Sequence, residues 1–131
     1  MKNSLPLLFK FTFITALVFT AVVCLIPINH QGPVNHFDKI VHTATYLVLG
    51  LLAWLAYPAT IQADSHVQKH TLHAFKYHFI LLFIYGALIE IAQGMTEYRS
   101  FSWLDMLANT SGIALSALMI QVKSRFVSST D

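Results

Sequence analysis

Charged residues and cysteine are scarce in this sequence. Its 131 residues include eight Lys or Arg, six Asp or Glu and one cysteine, whereas 56% are hydrophobic. A soluble domain of this length needs more polar surface, so the composition indicates a membrane protein. The net charge of +2 and the scattered basic residues exclude the electrostatic pattern of nucleic-acid binding. Cys24 alone forms no internal disulfide.

Several motifs of catalysis are also missing. The sequence contains no nucleophile elbow, no phosphate-binding glycine loop and no paired-histidine metal motif. No cofactor is therefore expected from motifs.

Long apolar segments dominate what is present. Each is close to the length of about 20 residues that spans a bilayer as a helix. The sequence predicts an all-α, polytopic membrane protein, a compact bundle of four transmembrane helices forming a single domain over residues 1–131. The predicted helices cover about 5–28, 38–57, 77–94 and 103–122. A cleaved signal peptide is the alternative for the first segment, but no small-residue cleavage site follows before Pro27.

The basic residues predict the orientation of the bundle. Most of them flank the first helix, the middle connection or the C-terminal end: Lys2, Lys10, Lys69, Lys76, Lys123 and Arg125. Only Lys39 and Arg99 fall on the other side. Because positive charge accumulates on the cytoplasmic side, both termini are predicted to be cytoplasmic.

Polar residues recur at helical spacing in three of the four segments. Steps of three and four residues place them on one face of each helix. In this topology all three polar stripes reach the outer face of the membrane, so they are expected to converge there. The stripes are Asp38, His42, Tyr46 and Gly50; Gly86, Glu90, Gln93 and Glu97; and Ser102, Asp105, Asn109, Gly112 and Ser116.

Glu90 is the strongest indication of a pocket. Helix rise places its carboxyl group roughly 7 Å inside the membrane boundary. An ionisable group there costs about 2.5–3.5 kcal/mol, so it is expected to face other protein groups. We predict that Glu90 is paired with Arg99 or is partly protonated.

Most of these residues also have purely structural interpretations. Asp38 could cap the second helix, and Ser102 with Asp105 fits a capping box at the start of the fourth. Arg99 could form a loop ion pair with Glu97. The remaining polar side chains could serve only to hydrogen-bond neighbouring helices: His42, Gln93 and Asn109.

The polar residues form an ordered motif along the last three predicted helices. It is Asp38-Lys39-x-x-His42-x-x-x-Tyr46-x-x-x-Gly50, Glu90-x-x-Gln93, Arg99 and Asp105-x-x-x-Asn109-x-x-Gly112. This motif resembles the VanZ-like family of small bacterial membrane proteins. The resemblance extends from about residue 37 to residue 118, and it implies an integral protein of the bacterial cytoplasmic membrane. Founding members of that family are linked to low-level resistance to teicoplanin, which acts on cell-wall precursors outside the membrane.

Three functions fit the predicted pocket. The first is binding of an envelope lipid or lipid-linked headgroup, which would modulate envelope properties or glycopeptide susceptibility. The residues expected to bind are Asp38, Lys39, Tyr46, Gln93, Arg99 and Asn109. The second is an enzyme acting on a lipid-linked or phosphorylated substrate. Its expected catalytic residues are His42, Glu90 and Asp105, with a divalent cation at the acidic cluster as an option. The third is a proton-coupled transporter, which would require a homo-oligomer.

The middle connection carries three histidines that would share one face if helical: His66, His70 and His73. Such spacing suits zinc or nickel, but no cysteine or fixed acidic ligand accompanies it. No metal is expected there, and a solvated cytoplasmic connector is the simpler interpretation.

Overall fold

A computed structural model describes residues 4–27, 35–57 and 67–128 of the chain. The described residues form four α-helices. They are α1 (Ser4–Leu25), α2 (Asn35–Ala56), α3 (Val67–Gly94) and α4 (Trp103–Ser128). The predicted all-α class is thus confirmed for this part of the chain.

All four helices are long and apolar enough to cross a membrane. The candidate spans are Leu7–Leu25, Phe37–Ala56, Lys76–Gly94 and Trp103–Lys123. Their outward surfaces carry many exposed large apolar side chains, as expected for a surface that faces lipid rather than water. The predicted four-span architecture is therefore confirmed, whereas the orientation of the termini stays a prediction.

Two helices extend well beyond the predicted spans, whereas α1 ends at Leu25, before the predicted residue 28. α3 begins at Val67 rather than near residue 77, and α4 continues to Ser128 rather than ending near residue 122. The prediction followed hydrophobicity, which falls where a helix leaves the bilayer, but backbone hydrogen bonding continues in polar sequence without proline or glycine. The extension of α3 includes His70 and His73, whose side chains lie outside the described set, and His66 lies outside the described residues altogether.

The helices alternate in direction and pack in the cyclic order α1, α2, α4, α3. The α2–α4 interface is the most extensive, α2 meets α3 across the diagonal, and α1 does not contact α4 within the described residues. At one end of the bundle, Lys10 on α1 lies 5.3 Å from the ring centre of Tyr57, and Lys123 on α4 lies 4.8 Å from that of Trp54. The start of α1 and the end of α4 therefore flank the end of α2.

Two glycines allow α2 and α4 to approach closely. A Cβ atom added at Gly112 would lie 2.9 Å from the backbone nitrogen of Leu47 and closer still to the carbonyl oxygen of Thr43. A Cβ atom at Gly50 would lie 2.7 Å from the Cβ of Ser116. Small residues at such crossings let the backbones touch, so this interface fixes the relative register of the polar stripes of α2 and α4.

The core below the polar end is apolar and contains residues from α1, α2, α3 and α4. Tyr46, Leu49 and Ile113 are almost completely buried, and Phe13 on α1 packs against the same cluster. The ring of Tyr46 lies 6.4 Å from that of Tyr85 on α3. This apolar core holds the four helices together next to the polar residues of α2, α3 and α4.

Candidate functional site

An ion-paired cluster joins the starts of α2 and α4. The Lys39 ammonium group contacts the carboxylate of Asp105 directly and lies 3.4 Å from Oδ2 of Asp38. Asp105 is only 3% exposed. Because an unpaired buried carboxylate is costly, Lys39 stabilises Asp105 in this position.

Asp38 is the anion that the other polar groups share. Arg99 Nη2 lies 3.7 Å from Oδ2 of Asp38, and His42 Nε2 lies 3.7 Å from Oδ1. α2 begins at Asn35, so Asp38 lies within its first turn and is not the predicted cap; it connects Lys39, His42 and Arg99. Glu97, the alternative partner predicted for Arg99, is exposed.

His42 is buried and oriented by Asn109. Its Nδ1 lies 2.9 Å from Oδ1 of Asn109, and an amide oxygen only accepts hydrogen bonds. Nδ1 therefore donates, and in the neutral ring Nε2 is the atom with a free electron pair on the side of Asp38. Asn109 thus does not merely link two helices, because it also sets the tautomer of the imidazole.

Glu90 is inside the protein, as predicted, but its partner differs from the predicted one. The side chain is 1% exposed, and Oε1 accepts a hydrogen bond from the backbone N–H of Ser102 at 2.5 Å. Of the two predicted alternatives, the pair with Arg99 is not formed among the described residues, since the guanidinium group lies beside Asp38 instead. Partial protonation of Glu90 stays a prediction. Arg99 lies in the loop before α4, where Asp38 on α2 can reach it.

The N-terminal cap of α4 uses hydrogen bonds from two helices. Ser102 Oγ accepts the backbone N–H of Asp105 at 3.3 Å, which is one half of the predicted capping box. In the other half, the acidic residue at the third helical position would accept the N–H of Ser102. Glu90 on α3 takes that role, which leaves the Asp105 carboxylate free to pair with Lys39.

Substitutions at Glu90 test this shared cap. In Glu90→Gln the amide oxygen still accepts the Ser102 N–H, so we expect nearly unchanged stability. Glu90→Leu removes the acceptor and is expected to cost about 1–3 kcal/mol. Equilibrium unfolding in mixed detergent micelles measures both. Equal stability of the two variants would contradict the assigned role of Oε1.

Three buried polar atoms have no hydrogen-bond partner among the described residues: Tyr46 Oη, Glu90 Oε2 and Gln93 Oε1. Each belongs to a side chain that is 1% exposed. The Tyr46 hydroxyl packs against Gly86, where an added Cβ atom would lie 3.0 Å away. Gly86 therefore makes room for the Tyr46 ring rather than for a close backbone approach.

The C-terminal end of α1 also belongs to this region. Gln93 Nε2 donates to the carbonyl oxygen of Cys24 at 2.8 Å, and the hydroxyl of Tyr98 donates to that of Leu25. The polar stripes in the sequence indicated no part for α1 in the site. Its contribution comes from main-chain carbonyl groups at a helix end, which no side-chain pattern reports.

A small groove opens between α3 and α4 beside the buried polar groups. Its lining consists of Phe83, Gly86, Ala87, Met106, Asn109 and Thr110. Phe83 is 40% exposed on the outer surface of the bundle. Its lining therefore includes Asn109 and Gly86 together with Phe83 on the outer surface.

One set of side chains has the geometry of a cation site. Asp38, His42 and Asp105 each offer a ligand atom, and these atoms lie within 4.8 Å of one another. Two carboxylates and an imidazole suit a divalent ion such as Mn²⁺ or Zn²⁺. Lys39 contacts both carboxylates, so its ammonium group serves as their positive charge and would have to move before a metal bound.

The structure brings together most of the residues that the sequence singled out. One ion-paired network consists of Asp38, Lys39, His42, Arg99 and Asp105. The unpartnered atoms belong to Tyr46, Glu90 and Gln93. In the transport hypothesis Glu90 and His42 would form a proton relay. In the structure these two residues have separate partners, Ser102 and Asn109.

Comparison with known families gives a match over nearly the whole chain. The VanZ/LLP1 family profile covers residues 1–124, which include every residue of the site described above. Comparisons with curated proteins and with solved structures gave no match. The resemblance inferred from the motif is confirmed, and the chain belongs to the VanZ/LLP1 family of membrane proteins.

Proposed function

We propose that this VanZ/LLP1 protein binds the phosphate-bearing headgroup of an envelope lipid or lipid-linked precursor at the polar end of its bundle. The observation that carries the proposal is that two cationic side chains are partly exposed beside one shared carboxylate. Lys39 and Arg99 are each 27% exposed, and both lie beside the same carboxylate, Asp38. They are thus both accessible and held in place.

Arg99 is the better placed of the two for an incoming anion. A guanidinium group carries five N–H donors, and the contact of Arg99 with Asp38 is a loose one at 3.7 Å. Arg99 therefore has donors for a phosphate oxygen without losing Asp38. Lys39 is more tightly engaged through Asp105, so its main role is to keep Asp105 in position.

The predicted topology indicates on which side of the membrane this binding would take place. With both termini cytoplasmic, the polar end faces the outer leaflet of the bacterial cytoplasmic membrane, where lipid-linked wall precursors are exposed. Holding such a headgroup would alter its availability at the cell surface. Modulation of envelope properties, and of glycopeptide susceptibility, would follow without any chemical step.

Lipid titration of Arg99 variants tests the proposal. Wild type, Arg99→Ala and Arg99→Lys are purified in detergent and titrated with phosphatidylethanolamine, phosphatidylcholine and phosphatidylglycerol, and retained lipid is counted by native mass spectrometry. Loss of a charged hydrogen bond predicts about tenfold weaker binding of all three lipids by Arg99→Ala. The lysine variant is expected to recover part of it.

Arg125→Ala is the matched control, because it removes an exposed arginine near the opposite end of α4. It should bind lipid as the wild type does. Equal lipid binding by Arg99→Ala and wild type would refute the proposal, as would equal losses in Arg99→Ala and Arg125→Ala.

A second candidate function is metal-assisted catalysis on a phosphorylated envelope substrate. The proximity of Asp38, His42 and Asp105 favours it. A divalent cation held there would polarise a phosphoryl oxygen. Product formation that requires Mn²⁺ or Zn²⁺ and is lost in Asp105→Asn would establish this function in place of simple binding.

A further inference from the structure

We propose that the bound headgroup carries a primary ammonium group, which is received by three buried oxygen atoms behind the ion-paired cluster. These atoms are Tyr46 Oη, Glu90 Oε2 and Gln93 Oε1. The inference rests on the proposed binding of a lipid headgroup and specifies its chemical class.

The number and type of these atoms match an ammonium group. The Gln93 amide nitrogen donates to the Cys24 carbonyl oxygen, which identifies Oε1 as the free acceptor. Glu90 Oε1 already accepts the Ser102 N–H, so Oε2 is the free oxygen of its carboxylate. With the Tyr46 hydroxyl oxygen these make three acceptors, and a primary ammonium group has three N–H donors. Buried acceptors left unpaired cost about 1–3 kcal/mol each, so a ligand that satisfies all three is favoured.

The charges of the neighbouring side chains also favour a cationic group in the ligand. Asp38 lies beside Lys39 and Arg99, and Asp105 contacts Lys39. Glu90 has no cationic side chain within ion-pair distance in the described part of the chain, and only a backbone N–H is bonded to it. A cationic ligand group would supply the charge that Glu90 lacks. A headgroup without a positively charged group would not.

Two of the three acceptors belong to one face of α3, and the third lies beside that face. Glu90 is four residues beyond Gly86, and Gln93 is three residues further, so they occupy successive turns of the same face. The hydroxyl of Tyr46 on α2 lies beside Gly86, one turn before Glu90.

The phosphate and ammonium positions are also compatible in spacing. Ser102 is bonded to Glu90 and lies three residues after Arg99, so the backbone of Arg99 is within about 10 Å of the Glu90 contact. A zwitterionic headgroup can therefore place its phosphate at Arg99 and its ammonium group at Glu90.

Competition between two closely related lipids tests this specificity. Phosphatidylethanolamine and phosphatidylcholine share the phosphate, but the choline nitrogen is methylated and has no N–H donor. We expect wild type to bind phosphatidylethanolamine about tenfold more tightly, because phosphatidylcholine cannot form the charged hydrogen bonds to the three oxygen atoms. Native mass spectrometry with equal amounts of the two lipids gives the ratio directly.

Two variants remove the acceptors while preserving the fold. Glu90→Gln keeps the acceptor for Ser102 but replaces the free carboxylate oxygen by a donor, and Tyr46→Phe removes a hydroxyl that has no described partner. Both should lower the preference toward unity. Tyr85→Phe is the matched control, since the Tyr85 hydroxyl donates to the carbonyl oxygen of Leu17, and it should keep the wild-type ratio.

The outcomes separate this inference from the proposed function. Equal wild-type binding of the two lipids, still dependent on Arg99, would overturn the ammonium site and leave phosphate binding intact. A preference unchanged in both Glu90→Gln and Tyr46→Phe would also overturn it. Absence of binding to either lipid would refute both proposals. If Glu90→Gln fails to fold, the ratio measured for Tyr46→Phe decides.

Discussion

Leucine at position 112 should prevent assembly of the bundle. A Cβ atom at this glycine already meets the backbone of α2 at Thr43 and Leu47, and backbone atoms cannot move aside as a flexible side chain can. The only relief is separation of α2 from α4, which are the most extensively packed pair. We expect Gly112→Leu to lose about 3 kcal/mol or more, the upper end of overpacking effects.

Size-exclusion chromatography and thermal unfolding in detergent measure this loss, and Ala114→Leu is the control. Ala114 lies two residues further along α4 and is exposed on the lipid-facing side, so the same added bulk should be tolerated there. Gly112→Ala should lie between wild type and Gly112→Leu. A well-folded, monodisperse Gly112→Leu protein would contradict the close approach of the two helices.

Asp105→Ala is expected to have the second largest effect. It removes the carboxylate that the Lys39 ammonium group contacts and leaves this cation with Asp38 alone. Breaking a buried pair costs about 3–5 kcal/mol, and because Lys39 is 27% exposed the lower end of that range, about 3 kcal/mol, is expected.

A double-mutant cycle with Lys39→Met isolates the pair. The double variant should be more stable than the sum of the single losses predicts, because neither charge is then left behind. Unfolding free energies in mixed micelles supply the four values of the cycle. Glu97→Ala removes an exposed carboxylate from the loop before α4 and should stay within about 0.5 kcal/mol of wild type. Additive losses in the cycle would mean that Lys39 and Asp105 do not stabilise each other.

Sequence patterns could predict the four spans and the convergence of their polar residues. Apolar length identified the spans, and steps of three and four residues placed His42 and Asn109 on facing helices. The same logic predicted that Glu90 points inward, because a carboxylate facing lipid is too costly.

The pairing inside the cluster was beyond these patterns. Helical periodicity gives the face of a residue but not its rotamer or its partner, so Arg99 was assigned to Glu90 or Glu97 instead of Asp38. The bond from Ser102 to Glu90 uses a backbone donor, and the acceptors on α1 are carbonyl groups at Cys24 and Leu25. Backbone groups of this kind cannot be predicted as partners from the side-chain types in a sequence.

The cap that α3 provides for α4 bears on how the protein enters the membrane. During synthesis α3 emerges first, and its Glu90 carboxylate has no Ser102 N–H to bind until the loop and the start of α4 follow. Leaving such a group alone in the bilayer is unfavourable. The third and fourth spans are therefore suited to leave the translocation machinery together, as one helical hairpin closed by the bond between Ser102 and Glu90.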